Sequence, residues 1–118
     1  MKRWMMLMGV LLLFTIGGVA AWAGPQDFIL YNQTGVDIYE VYVSPSNSNY
    51  WGSDILGADI LYNGSSTRIT FNNYSQTYWD LKVKDRNGNS LYWRNINLLR
   101  YSRIYLRYDG YRAWAVYE

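Results

Sequence analysis

The sequence contains no cysteine and no histidine. Without cysteine the chain forms no disulfide, although small secreted domains often depend on disulfides for stability. Without either residue, Ser–His and Cys–His nucleophilic systems are excluded, and so are the usual zinc sites. No glycine-rich phosphate-binding motif is present either. We therefore predict that the protein is not an enzyme and that it has no catalytic residue and no cofactor.

Charge is absent from a long stretch near the start of the chain. Lys2 and Arg3 are followed by an uncharged, mostly apolar segment at residues 4–22. Ala21 and Ala23 then place small residues where a signal peptidase needs them. This order of basic, apolar and small-residue regions is typical of a secretory signal peptide.

The leader divides the chain into a signal peptide at residues 1–23 and a secreted β-domain at residues 24–118. The alternative is an uncleaved membrane anchor, because the apolar stretch approaches the ~20 residues that a spanning helix needs. Its strongly apolar part is shorter, however, and Ala-x-Ala before Gly24 favours cleavage. No membrane span remains after cleavage, so we expect a secreted or periplasmic product.

The predicted domain is formally neutral but unevenly charged. Residues 24–85 carry seven acidic residues against three basic ones, whereas residues 86–118 carry six arginines against two acidic residues. Such asymmetry either gives a basic face for an anionic partner or allows the two halves to pair within the molecule. Export and zero net charge argue against a nucleic-acid partner.

Short runs with β-strand patterning recur between turn residues, and no long helical stripe is present. Asn63-Gly64, Asn87-Gly88 and Asp109-Gly110 are turn signals. The chain is therefore predicted to be all-β, a single small antiparallel β-sandwich or small barrel of seven or eight short strands. The predicted strands cover residues 27–32, 36–43, 59–62, 66–71, 78–84, 90–94, 103–108 and 112–117.

Alternation within the later strands predicts which side chains face the core. In the strand at 78–84, Trp79, Leu81 and Val83 are expected inside and Asp80 outside, with the two lysines. In the last strand, Trp114 and Val116 are expected inside.

The connection at residues 44–58 is rich in Ser, Asn and Gly and is a candidate ligand loop or structural loop. Trp51, Asp54 and Asp59 are its candidate residues. Carboxylate and amide oxygens suit calcium, but no calcium-loop pattern is present. Capping of a turn by Asp54 explains the same residues.

Tyrosine and arginine alternate toward the end of the chain, where they form a candidate binding face. Outward tyrosines stack on sugar rings, and arginines contact anionic groups. Cross-strand packing of Tyr against Arg within the sheet is the alternative. The candidate residues are Tyr92, Arg94, Arg103, Tyr105 and Arg107.

A pattern of the form F-x-L-x-N-x-T-G, then Y-V-S-P-S and W-G-x-D-x-L-G, is followed by Tyr78, Asp80 and Leu81 and by a turn at Gly88 before Trp93. This pattern covers most of the predicted domain and resembles that of a group of small secreted bacterial proteins of unassigned function. The resemblance implies a bacterial exported β-domain and carries no activity with it. Many members of the group have cysteines in the later strands, which this chain lacks. The matching residues are Phe28, Leu30, Asn32, Thr34, Gly35, Tyr42, Val43, Ser44, Pro45, Ser46, Trp51, Gly52, Asp54, Leu56, Gly57, Gly64 and Phe71.

Together these features predict a non-enzymatic exported domain that binds a protein or assembles with itself. The alternative is a carbohydrate-binding module that uses surface Tyr and Trp on a cell-wall or environmental glycan. The sequence does not identify which protein or glycan is the partner.

Overall fold

The computed structural model describes residues 26–70 and 76–118. The predicted signal peptide at 1–23 and Phe71 lie outside these residues. The described chain forms seven strands in two sheets, which confirms the predicted small all-β sandwich. The strands are β1 (Phe28–Gln33), β2 (Glu40–Pro45), β3 (Ser66–Ile69), β4 (Tyr78–Lys84), β5 (Ser90–Asn97), β6 (Arg103–Tyr108) and β7 (Ala113–Tyr117).

The first sheet has the strand order β3-β1-β6-β7, and the second has the order β2-β4-β5. Neighbouring strands are antiparallel except β1 and β6, which run parallel with Leu30 opposite Ile104. This parallel pair joins β1, near the start of the described chain, to β6, near its end. It lies in the middle of the four-stranded sheet.

Two tight turns join antiparallel neighbours as the sequence predicts. Gly88 between β4 and β5 has a φ of 84°, and Gly110 between β6 and β7 has a φ of 97°. Both values lie in the left-handed region, which glycine adopts without steric cost. At the second turn the Arg112 N–H donates to Asp109 Oδ1 over 2.8 Å. The two hairpins are therefore confirmed.

The hydrophobic core lies between the inward faces of the two sheets. Burying one large apolar side chain there contributes about 1.5–3 kcal/mol. The Trp93 indole N–H on β5 donates to the Trp114 carbonyl on β7 over 2.7 Å and so ties the sheets together. The almost fully buried side chains include Phe28, Leu30, Trp79, Leu81, Val83, Ile104 and Leu106, as the alternation predicts.

The orientation of β7 differs from the prediction. Trp114 is 39% exposed and Val116 is 40% exposed, whereas Ala115 and Tyr117 pack against the core. Ala115 lies opposite Leu106 in the register with β6, and the Leu106 side chain points inward. Because paired residues of neighbouring strands point to the same face, Ala115 must face inward too. The prediction that Trp114 and Val116 face the core is wrong.

The second strand begins and ends later than the predicted 36–43. Ile38 forms only an isolated bridge with Leu61, which is also all that remains of the predicted strand at 59–62. Pro45 belongs to β2, an edge strand of its sheet. An edge strand accommodates proline because one side of its backbone needs no N–H donor.

Candidate functional site

The predicted ligand loop runs along the free edge of β2. Asp54 Oδ1 accepts hydrogen bonds from the backbone N–H groups of Val41 at 2.8 Å and Leu56 at 3.0 Å. The Ile55 N–H donates to the Val41 carbonyl at 2.8 Å. These bonds satisfy the backbone groups that an edge strand otherwise leaves open. Asp54 therefore forms the turn and covers the strand edge.

Asp59, the second acidic residue of this candidate site, is exposed. Its backbone N–H donates to the Leu56 carbonyl at 3.1 Å and so closes the turn. In the part of the chain that the structure describes, no group of three or more His, Cys, Asp or Glu residues is placed to hold a metal ion.

Trp51 extends from the loop over the outer face of the β2-β4-β5 sheet. Its ring lies 6.0 Å from that of Tyr92, with the planes inclined at 46°. Lys82 Nζ lies 5.1 Å from the Trp51 ring and 4.6 Å from the Tyr42 ring, and Arg94 Cζ lies 5.1 Å from the Tyr92 ring. These are cation–π distances. Both cations are thus packed against aromatic rings of the same face.

Asp80 also lies on this face, but it is buried, so the expectation that it faces solvent is wrong. Asp80 Oδ1 accepts hydrogen bonds from Ser46 Oγ at 2.7 Å and the Asn95 N–H at 2.9 Å, and Oδ2 accepts one from Arg94 at 3.0 Å. Asn95 has a φ of 57° and lies in a β-bulge of β5 opposite Asp80. The carboxylate therefore stabilises the bulge.

The ionisation of Asp80 follows from the same contacts. Burial by itself raises the pKa of this carboxyl group. The hydrogen bonds from Asn95, Ser46 and Arg94 outweigh burial and hold the pKa of Asp80 below its ordinary value.

We call the outer surface of the β2-β4-β5 sheet the loop-covered face. It consists of Tyr42, Trp51, Asp80, Lys82, Tyr92 and Arg94.

The outer face of the β3-β1-β6-β7 sheet has a different character. The strand register aligns Arg68, Ile29 and Arg103 in one row across the sheet, and aligns Arg107 with Trp114 in another. Among the described residues, no aromatic ring of a loop stacks on this face, and the side chain that reaches it from outside the strands is that of Glu118, just beyond β7. We call it the arginine–aromatic face. It consists of Ile29, Tyr31, Gln33, Arg68, Arg103, Tyr105, Arg107, Trp114 and Val116.

The centre of the arginine–aromatic face is a stacked tyrosine pair. The rings of Tyr31 and Tyr105 lie 4.3 Å apart with an angle of 16° between their planes. The Tyr105 hydroxyl donates to Glu118 Oε1 over 3.2 Å. Partial burial, followed by this hydrogen bond, raises the pKa of Tyr105 above its ordinary value. The stacked rings form a flat apolar surface between the arginines.

The arginines of this face are only weakly neutralised. Arg107 Nε donates to the neutral amide oxygen of Gln33 at 2.6 Å. Arg103 Nη1 lies 3.9 Å from Glu118 Oε1, at the limit of an ion pair, and both side chains are more than half exposed. Such a pair contributes little to stability. Three arginines stand against Glu118, the one carboxylate found within ion-pair distance of them among the described residues, so the face is positively charged.

The structure divides the five residues predicted as one binding face between two surfaces. Tyr92 and Arg94 lie on the loop-covered face, next to Trp51. Arg103, Tyr105 and Arg107 lie on the arginine–aromatic face. Sequence reasoning did not include Arg68 and Trp114. Arg68 alternates with Thr67 and Ile69, so its outward position was available from the pattern, but the position of Trp114 depends on pairing with β6.

A shallow hollow of about 360 Å³ contains two carboxylates, Asp37 and Asp85. Asp37 Oδ1 accepts the Asn63 N–H at 2.9 Å, and Asp85 accepts the N–H groups of Asn87 and Asn89. The side-chain hydrogen bond from Asn89, with the backbone bonds, lowers the pKa of Asp85. A general acid requires a raised pKa, which Asp85 does not have. Both carboxylates accept backbone hydrogen bonds that hold turns.

Comparisons with models of protein families, with curated proteins and with solved structures found no match to the chain. The resemblance to small secreted bacterial proteins stays a prediction. No helix within residues 26–70 and 76–118 is long and apolar enough to cross a lipid bilayer. Function is therefore inferred from the geometry of the two faces.

Proposed function

We propose that the chain is a non-enzymatic, exported binding module whose arginine–aromatic face holds a protein partner in the periplasm or outside the cell. The observation that carries the proposal is the uncovered row of Arg103, Tyr105 and Arg107 along β6, beside Trp114. On the opposite sheet the same residue types are engaged by a loop ring and a buried carboxylate, because Tyr92 pairs with Trp51 and Arg94 binds Asp80.

The composition of the face favours a protein as the partner. Tyr, Trp and Arg are the residues that most often dominate binding energy at protein interfaces, whereas Lys and Asp are depleted there. The face contains three arginines and three aromatic residues but no lysine and no aspartate. Its positive charge favours an acidic partner surface, because complementary charge speeds association and selects partners.

Export rests on the leader pattern at residues 1–23. The protein, expressed with its own leader, is expected to reach the periplasm or the medium with Gly24 as its first residue. Intact-mass measurement of the protein recovered from each compartment tests this. Recovery of the full-length chain in the membrane fraction would instead support the uncleaved anchor.

The binding proposal is tested by capture from an envelope extract with three forms of the exported protein. The double variant Arg103→Glu/Arg107→Glu reverses charge on the arginine–aromatic face, and Tyr92→Ala alters the loop-covered face as the matched control. A partner held as proposed is reduced about tenfold or more by the double variant and is unchanged by the control. Equal capture by all three forms, or loss in the control alone, contradicts the proposal.

Carbohydrate binding is the second candidate function, and the exposure of Tyr92 beside Trp51 favours it. Tyr92 is 44% exposed and forms a tilted pair with the half-buried Trp51 ring. Aromatic rings at such a surface offer apolar faces for sugar rings. Retention on a glycan array that is lost in Trp51→Ala and kept in the Arg103→Glu/Arg107→Glu variant would favour this function over the first.

A further inference from the structure

The edges of the two sheets are protected to different degrees. An open strand edge presents unpaired N–H and C=O groups, and natural proteins usually cover, shorten, bend or charge it. The edge of β2 is covered by Asp54 and Ile55, β3 has only four residues and carries Arg68, and β5 is bent by the bulge at Asn95.

The edge strand β7 has none of these protections among the described residues. Its five residues, Ala113–Tyr117, include no charged residue, no glycine and no proline. They are Ala, Trp, Val and Tyr, and three of them are residue types that favour extended structure. The strand is therefore suited to accept a further strand.

The hydrogen-bonding pattern shows which backbone groups of β7 are free to do so. Arg103 and Glu118 exchange two backbone hydrogen bonds, at 3.1 and 2.9 Å. Because such pairs alternate along antiparallel strands, Val116 and Trp114 also bond to β6. The N–H and C=O groups of Ala113, Ala115 and Tyr117 consequently point away from β6. No hydrogen bond from elsewhere in residues 26–70 or 76–118 is made to these groups.

We infer that β7 pairs with β7 of a second copy of this chain, antiparallel and about a two-fold axis at Ala115. In this register Ala115 faces its own counterpart, and Ala113 faces Tyr117 of the second copy. These are the residues with outward backbone groups, so they form about six new hydrogen bonds. Backbone geometry and register thus agree.

The side chains are self-complementary in the same register. Trp114 lies opposite Val116 of the second copy, an aromatic–β-branched pair of the kind that stabilises sheets. Arg112 lies opposite Glu118 of the second copy, a pair of opposite charge. Moving the axis to Trp114 places Arg112 opposite Val116, and moving it to Val116 places Glu118 opposite Trp114. Only the axis at Ala115 matches both pairs.

The pairing joins two four-stranded sheets into one continuous sheet and closes as a symmetric dimer. The two arginine–aromatic faces then lie side by side on the same surface. The inference rests on the proposed function and deepens it, because the pairing of two copies enlarges the binding face.

Sedimentation velocity of the exported protein over a range of concentrations tests the pairing. The unaltered protein is expected to dimerise. Ala115→Pro removes an outward N–H and leaves the β6 bonds intact, so it should weaken the dimer about tenfold or more. Arg112→Glu should weaken it by like-charge repulsion with Glu118, and the double variant Arg112→Glu/Glu118→Arg should restore it. Near-UV circular dichroism checks that each variant is folded.

A monomer at every concentration, or a dimer that Ala115→Pro and Arg112→Glu leave unchanged, overturns the inference. A monomer whose β7 amides become protected from hydrogen exchange only when another captured protein is present also overturns it, because the occupant is then not a second copy. A monomer that still loses its captured partner in the Arg103→Glu/Arg107→Glu variant sinks the dimer and leaves the proposed function standing. A dimer that captures no partner supports the pairing of β7 and contradicts the proposed function.

Discussion

The two outer faces of the sandwich contain the same kinds of residue but hold them differently. On the loop-covered face, Arg94 lies against Tyr92 and binds the buried Asp80. On the arginine–aromatic face, Arg107 donates to a neutral amide and Arg103 lies at the limit of an ion pair with Glu118. Aromatic and cationic composition therefore does not by itself identify a binding surface. The two faces differ in whether a loop residue and a buried carboxylate contact the cations.

Asp80→Ala should disrupt the loop-covered face most strongly. The substitution leaves the Asn95 N–H and the Arg94 guanidinium without their acceptor, and we expect the free energy of unfolding to fall by about 2–4 kcal/mol. Urea denaturation followed by tryptophan fluorescence measures it. Asp59→Ala, at an exposed carboxylate, is the control and should change stability by about 0.5 kcal/mol or less. A similar small change in both variants would show that Asp80 does not anchor the bulge.

Arg94→Ala and Arg107→Ala compare the two faces directly. Arg94→Ala removes the cation from the buried Asp80, and we expect a loss of about 1–2 kcal/mol, reduced by the 59% exposure of the Arg94 side chain. Arg107→Ala should change the free energy of unfolding by about 0.5 kcal/mol or less. Both are measured by urea denaturation under identical conditions. Equal losses would remove the distinction between the faces.

Asp54→Ala tests whether the loop that carries Trp51 is held by a structural carboxylate. Losing the hydrogen bonds to Val41 and Leu56 should reduce stability by about 0.5–2 kcal/mol, as for a lost cap. The melting temperature of the unaltered protein should be the same with calcium and with a chelator. A calcium-dependent rise that Asp54→Ala abolishes would make the loop a metal site instead.

Acid is the mildest way to perturb the loop-covered face, because protonation removes charge and leaves the side chain in place. The pKa values of Asp80, Asp85 and Asp109 are lowered in the folded protein, the last chiefly by the Arg112 N–H. A carboxyl group with a lowered folded pKa stabilises the fold above its unfolded pKa of about 4, and this contribution is lost as pH falls through the folded value. Stability should therefore decline below about pH 4.

Denaturation curves of Asp80→Asn at several acidic pH values measure the share of this residue. The asparagine cannot titrate, so the variant should start less stable and decline less steeply with falling pH. An unchanged slope would mean that Asp80 ionises alike in the folded and unfolded chain.

Local patterns predicted the parts of the fold that depend on neighbouring residues. The hairpins at Gly88 and Gly110 follow from two-residue turn signals, and the core positions of β4 follow from the alternation of Trp79, Leu81 and Val83. Each of these signals lies within a few residues of the structure it specifies.

Features that depend on distant pairing were not accessible in the same way. Ala-Trp-Ala-Val-Tyr alternates with either face inward, and only the register with β6 decides the orientation of Trp114. Asp80 reads as a solvent-facing residue until the bulge at Asn95 folds over it. The aromatic ring of Trp51 suits a core as well as a surface, so the sequence did not place it on the loop-covered face.

The position of β1 in the sheet constrains the order in which the strands pair during folding. β1 lies between β3 and β6, and Gln33 meets Arg107 across a separation of 74 residues. β1, one of the two central strands of the larger sheet, therefore cannot pair with β6 until most of the chain has been made. Such distant contacts slow folding, so tryptophan fluorescence should report refolding on the order of milliseconds to seconds. A microsecond phase that completes the fold would contradict this. If residues 1–23 direct export as proposed, slow folding would keep the polypeptide unfolded until it has crossed the membrane.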